Sequence, residues 1–201
     1  MQGMMYKYLL LFLSVAALFS CTKNADSDNG RYIVSARKMI GLTGINWSQA
    51  ELLLRNKRGY RYTKSPDNLS NVIIAAVDVM AIDDSNRSVT GTILINVGPT
   101  NVINFISFAT DTIPQAAAYA MMLNYNNESL QTLTGISSSI GEIVENGNGS
   151  NPPVSTVLSK LDSGQTVDQL AITYYLGLRT FTMVAFRQND GRYVFGYRGM
   201  Q

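Results

Sequence analysis

The sequence predicts an α+β fold, an antiparallel sheet of about five strands with helices packed on one face. Three observations lead there. Apolar stretches at Val72 to Ile82, Val89 to Val97 and Val102 to Ala109 are separated by the turn formers Asp83-Asp84-Ser85-Asn86 and Gly98-Pro99-Thr100-Asn101. The chain closes on Phe181 to Arg187 and Arg192 to Tyr197 around Gln188-Asn189-Asp190-Gly191, a hairpin signal. Around these strands, apolar residues recur at helical spacing.

Taken in order, Tyr32, Ile33, Ala36, Met39 and Ile40 share one side of a helix that Gly41 and Gly44 break. Ser48 and Glu51 then fit a capping box, with Trp47 packing on Leu52 as a hydrophobic staple, so a second helix runs to about Lys57 and stops at Gly59. The three strands follow, and their short connections make them antiparallel neighbours. Val72 to Ile82 is nearly all apolar and is expected at the centre of the sheet. A third helix opens near Pro114 and runs to about Tyr125, with Ile113, Ala116, Ala117, Ala120 and Met121 on one face. Thr134 to Glu145 mixes Gly, Ser and Ile without a clear period and receives no assignment, while Asn146 to Pro153 reads as a loop.

Val154, Val157, Leu158 and Leu161 predict a fourth helix ended by Gly164. Thr166 and Gln169 make another capping box, opening a fifth through Val167, Leu170, Ala171, Tyr174, Tyr175 and Leu178. In the last hairpin a two-residue turn, at Asn189-Asp190 or Asp190-Gly191, sets Val184 and Phe186 on the face of Tyr193, Phe195 and Tyr197. That face is expected to be buried. Gly59 and Gly177 each fall eleven residues after a capping residue, Ser48 and Thr166. The pattern admits an internal duplication of a helix-helix-strands unit, although any capped three-turn helix ending in glycine looks the same.

At the amino end, Met1 to Tyr8 carries one positive charge, and a twelve-residue apolar run from Tyr8 to Phe19 follows. A membrane-spanning helix needs about 20 apolar residues, so this reads as a secretory signal. Leu18-Phe19-Ser20-Cys21 resembles the lipobox of bacterial lipoproteins. The resemblance implies a signal peptide at 1–20, cleaved before Cys21, with a diacylglycerol on the Cys21 sulfur and a fatty acyl chain on the new amino terminus. Residues 21–30 then form a lipidated tether and 31–201 one globular domain. Each buried methylene contributes about 0.8 kcal/mol, so several chains together give stable anchoring in the cell envelope. Cys21 is the only cysteine, which leaves no internal disulfide. Thr22 stands where inner-membrane retention in that family usually has Asp, which implies the outer membrane, with the periplasmic and surface faces both open.

Charge is unevenly spread. Thr22 to Lys64 holds nine basic and three acidic residues, Ser65 to Leu178 two and ten, and Arg179 to Gln201 four and one. This fits either a basic face turned to an anionic surface or basic segments lying beside the acidic middle. Nucleic acid is not an expected partner of an exported protein.

The chain has no histidine, which removes Ser-His-Asp and Cys-His catalysis and the commonest metal ligand. No cofactor and no metal are expected. Ser35-Ala36-Arg37-Lys38 matches the S-x-x-K motif of penicillin-binding enzymes and serine beta-lactamases, but Ser27-Asp28-Asn29 precedes it and K-T-G is absent, so catalysis there is not expected. Carboxylates remain. Asp78 interrupts an apolar run and is the candidate acid, while Asp83 and Asp84 belong to a turn. Trp47, Tyr60 and Tyr62, with Arg58 and Arg61 and the neighbouring Arg55, Lys57 and Lys64, are the candidate ligand-binding constellation, suited to sugars or acidic groups.

These residues favour a non-catalytic binding domain, with a protein or glycan as ligand. A carboxylate-dependent glycan hydrolase and a structural subunit of a surface assembly are the alternatives. Metabolic labelling with a fatty-acid probe tests the anchor: wild type should be labelled and Cys21→Ala should not, and equal labelling of both would remove the lipoprotein reading.

Overall fold

Period-two alternation of buried and exposed residues along most strands organises the chain around one sheet. In β4 (Ser88–Val97), for example, Val89, Ile93, Ile95 and Val97 are buried while Thr92 and Leu94 are exposed. The computed structural model describes residues 30–64, 73–82, 88–133, 138–146, 148–150 and 153–201. Cys21, the lipobox and the Asp83-Asp84 turn lie outside them.

The elements run β1 (Tyr32–Val34), α1 (Ala36–Leu42), α2 (Trp47–Leu54), β2 (Arg61–Lys64), β3 (Ile73–Ile82), β4, β5 (Ile103–Thr110), α3 (Gln115–Leu133), β6 (Ser138–Glu145), β7 (Asn148–Ser150), α4 (Val154–Asp162), β8 (Gln169–Leu176), β9 (Arg179–Arg187) and β10 (Tyr193–Met200). The strand order is β1-β3-β4-β5-β10-β9-β8-β6-β7. Along one edge of β3, β1 lies parallel beside Val79–Ala81 and β2 antiparallel beside Ile73–Ala76. Two antiparallel meanders, β3-β4-β5 and β8-β9-β10, meet where β5 pairs with β10.

The expected sheet of about five strands is therefore corrected to one mixed sheet of ten strands among the described residues. Tyr32 and Ile33 belong to β1, and the first helix starts only at Ala36, capped by the Ser35 hydroxyl, which accepts from the Lys38 amide. Thr166 opens no helix: Gln169–Leu176 is strand, paired on both sides with β6 and β9. Leu170, Ile172 and Tyr174 are its buried set; Leu170 and Tyr174, four residues apart, fit both a helical period and a period of two, and two neighbouring strands decide between them. The expectation of a duplicated helix-helix-strands unit loses its second helix with this. In α2 the cap is Asn46, whose side-chain oxygen accepts from the Ser48 amide, and Leu52 is exposed, so the box and staple do not form.

The third helix continues well past Tyr125 to Leu133. Its polar residues turn inward. Tyr174 donates to Asn126 Oδ1 at 2.7 Å, and Ser129 Oγ lies 2.9 Å from Tyr197 Oη, all of them buried. Burying such groups is tolerated because each finds a partner. Around them Phe108, Tyr125, Phe195 and Tyr197 pack, with the Tyr125 ring 4.8 Å from Phe195 and 5.4 Å from Tyr197. The buried residues of all four helices join the inward residues of the strands in one core, so the helices lie against one face of the sheet.

Tyr125 Oη is buried with no hydrogen-bond partner among the described residues. Tyr125→Phe should therefore leave stability unchanged or raise it. Tyr174→Phe strands the Asn126 acceptor and should cost about 1–3 kcal/mol. Urea unfolding of the two variants checks the contrast.

Candidate functional site

The face of the sheet turned away from the helices is built by the register of the last hairpin. Arg187 pairs with Tyr193, and Gln188 donates its amide to the Arg192 carbonyl, leaving a three-residue loop of Asn189, Asp190 and Gly191. Gly191 sits at φ +79°, the left-handed conformation that such loops place at their end. An odd loop moves the register by one against a two-residue turn, and one residue reverses the facing of every side chain. Val184 and Phe186 therefore stand opposite Gly196 and Val194 on the open face, while Phe181, Met183 and Ala185 go inward with Phe195 and Tyr197. The expectation that Val184 and Phe186 are buried with Tyr193 is corrected by this loop.

Across the open face, residues in register form rows. One runs Asp78, Thr92, Ala109, Gly196, Val184, Ala171 over β3, β4, β5, β10, β9 and β8. The next runs Ala76, Leu94, Ser107, Arg198, Thr182, Thr173. At Gly196 and Ala109 the first row has almost no side chain, which leaves a trough of about 280 Å³ between β5, β10 and β9. Phe186, Val184 and Val194 give it apolar walls, and Ser107, Thr182, Arg198 and Gln188 also line it. Phe186 is 48 % exposed, and Ile74, Leu94 and Met200 on the same face are exposed to a similar degree.

The residues singled out in the sequence do not line the trough, and they divide into pairs on the two faces of the sheet. Trp47 is buried, with Tyr62 stacked on it at 6.2 Å. Tyr62 pairs with Ala75 on the helix side of β2, whereas Arg61 pairs with Ala76 and faces the open side. Tyr60 donates its hydroxyl to Glu51 Oε1 at 2.9 Å. Arg58 reaches Asp78, Nε to Oδ2 3.9 Å, and its carbonyl accepts the Asp78 amide. The Asp78 carboxylate lies directly over Gly59, where a Cβ would come within 2.3 Å of Cγ, so glycine at φ +70° is what makes room for it. Asp78 is thus a paired, half-exposed carboxylate in the middle of β3, lying against the turn at Gly59.

Other carboxylates are similarly engaged. Glu145 takes Lys160 Nζ at 2.6 Å, Asp168 lies 3.5 Å from Arg187, and Asp111 accepts from the Thr90 hydroxyl in a second depression between β4 and the start of α3. The Ser35 and Lys38 side chains are occupied too, the first as a cap and the second donating to the Ile33 carbonyl at 2.7 Å over the Tyr32 ring. Sequence reasoning missed the trough. Its one visible sign was Gly196 inside a strand otherwise rich in aromatics, a residue that marks close approach or a gap. No family model, curated protein or solved structure matches the chain.

The Tyr60 phenol is pushed up to about 12, first by its partial burial and then by its hydrogen bond to Glu51 and that carboxylate's charge. A raised folded value means that the proton is held more tightly when folded. This contribution to stability is full below about pH 10, the unfolded value, and is lost as pH rises towards 12. Glu51→Gln should bring the Tyr60 transition down, which phenolate absorbance against pH will show.

Proposed function

We propose that this chain is a lipid-anchored cell-envelope protein whose domain binds a ligand or partner on the open face of the sheet without carrying out chemistry. Anchoring rests on the lipobox at Leu18 to Cys21, and outer-membrane placement on Thr22. The observation that carries the binding reading is the trough over Gly196. Sheet faces turned to water usually alternate to polar residues, yet this one exposes Ile74, Leu94 and Met200 and sets Phe186 beside a floor of glycine and alanine. A concave, mostly apolar surface with a few convergent polar groups is the usual form of a binding site.

The carboxylates that a hydrolase needs are, at Asp78, Asp111, Glu145 and Asp168, already held by cations or a hydroxyl. None of these four lines the trough. The binding reading therefore separates from the hydrolase by mutation.

In a deletion strain complemented with each variant, Ala109→Phe, which fills the trough from an exposed position, should abolish the biological role. Asp78→Asn should preserve it, since a solvent-screened pair such as Arg58–Asp78 contributes at most about 1 kcal/mol. An essential general acid would instead lose a factor of roughly 10² to 10⁴ in rate. Circular dichroism on each purified variant controls for folding, and a folded Asp78→Asn protein that fails to complement would replace this reading with the hydrolase.

A further inference from the structure

Deepening the binding reading on which it rests, we propose that the trough takes a small amphipathic anion, its apolar body lying over Gly196 and its carboxylate held at Arg198.

Size comes first. Val194, Gly196 and Arg198 face the trough along β10, a span of about 13 Å at about 3.3 Å per residue, and β5 to β9 is two strand spacings, roughly 10 Å. The volume of about 280 Å³ sits near the lower end of ligand sites, about 300 Å³, which suits a short acyl chain and not a folded domain. The floor is open only because position 196 lacks a side chain. A Cβ there would lie 3.1 Å from Val184 Cγ1 and 3.4 Å from the Phe108 carbonyl, so even one methyl would crowd the wall.

The two ends of the trough differ. Towards the hairpin loop stand Phe186 and Val194, which offer an apolar body hydrocarbon contact, with Gln188 as the polar side chain at that end. Towards the other end stands Arg198, exposed and without an ion-pair partner among the described residues, whereas Arg58 and Arg187 on neighbouring strands and turns each have one. In register on either side of Arg198 are Ser107 and Thr182. The Thr182 hydroxyl is part-buried and lies 3.1 Å from the Thr173 hydroxyl. An arginine with a hydroxyl residue in register on each side suits a carboxylate, which accepts paired hydrogen bonds from a guanidinium. A sugar would need polar partners along its whole length, and the hairpin end offers only Gln188 beside Phe186 and Val194. A cationic ligand would meet Arg198.

Decanoate below its micelle concentration is the probe, measured by equilibrium dialysis against the full chain carrying Cys21→Ala, so that no acyl anchor competes. Saturable binding at one site is expected, with decanol and acetate each at least tenfold weaker. Arg198→Gln should weaken decanoate at least tenfold and leave decanol unchanged, and Ala109→Phe should remove both. Arg198 is exposed and has no ion-pair partner among the described residues, so its variant keeps the fold, and it decides the matter alone if Ala109→Phe does not fold. Absence of decanoate binding to the Cys21→Ala chain, or equal binding by Arg198→Gln, overturns the ligand class. If decanoate fails while Ala109→Phe, still folded, loses complementation, the binding face stands and only its ligand is wrong. If decanoate binds as described and folded Ala109→Phe still complements, the site stands and the biological role assigned to it falls.

Discussion

The pairing of β5 with β10 is the contact on which the rest of the molecule depends. It joins two three-stranded meanders into one sheet and sets Gly196 beside Ala109 on one face while Phe195 and Tyr197 go to the other. Both consequences follow from the period of two along a strand. The inward set meets Phe108 and Tyr125 and closes the core, and the outward set leaves the trough. A shift of one residue between these strands would place Gly196 in the aromatic core and Phe195 in water, so stability of the core and shape of the open face cannot vary independently.

Helix α3 reinforces that register. Asn126 and Ser129 lie on its buried face and have partners only because Tyr174 and Tyr197 reach them from β8 and β10. In a slipped sheet those hydroxyls would point away, and two buried polar groups would be stranded at a cost of about 1–3 kcal/mol each. The polar pairs thus add specificity to a core whose apolar contacts alone tolerate rearrangement.

Much of this was legible where sequence and local structure agree. The stretches β3, β4 and β5 stood out because turn formers bound them, α4 because Val157, Leu158 and Leu161 keep helical spacing, and the last hairpin because of Asn189-Asp190-Gly191. What failed was decided by contacts distant in sequence. β8 carries a helical pattern, but β6 and β9 hold it extended, and α3 looked finished at Tyr125 because nothing local shows that Asn126 will meet Tyr174. The candidate constellation is split between the two faces of the sheet for a sharper reason. Tyr62 and Arg61 are adjacent in sequence and so seemed to form one patch, yet in a strand neighbours face opposite ways. The trough depended on the parity of a loop read as two residues long at either of two positions, Asn189-Asp190 or Asp190-Gly191, when the true loop has three.

An open face this apolar invites another copy of the chain to cover it, since burial returns about 25 cal/mol for each Å² of apolar surface removed from water. The arrangement of Arg198 opposes that outcome. In a twofold face-to-face pair centred on the trough, each Arg198 guanidinium meets either the same group of the other copy or that copy's apolar Phe186 and Val194 end, and in both cases leaves water without a counter-charge from this patch. Removing unpaired charges from water costs several kcal/mol per ion, which offsets the burial of more than 100 Å² of apolar surface on each side. An anionic guest reverses the sign of that term, because it supplies the missing charge while its body covers the same hydrocarbon. One exposed arginine beside a glycine floor therefore does two things at once: it disfavours self-association of the apolar face and selects the charge of what that face accepts.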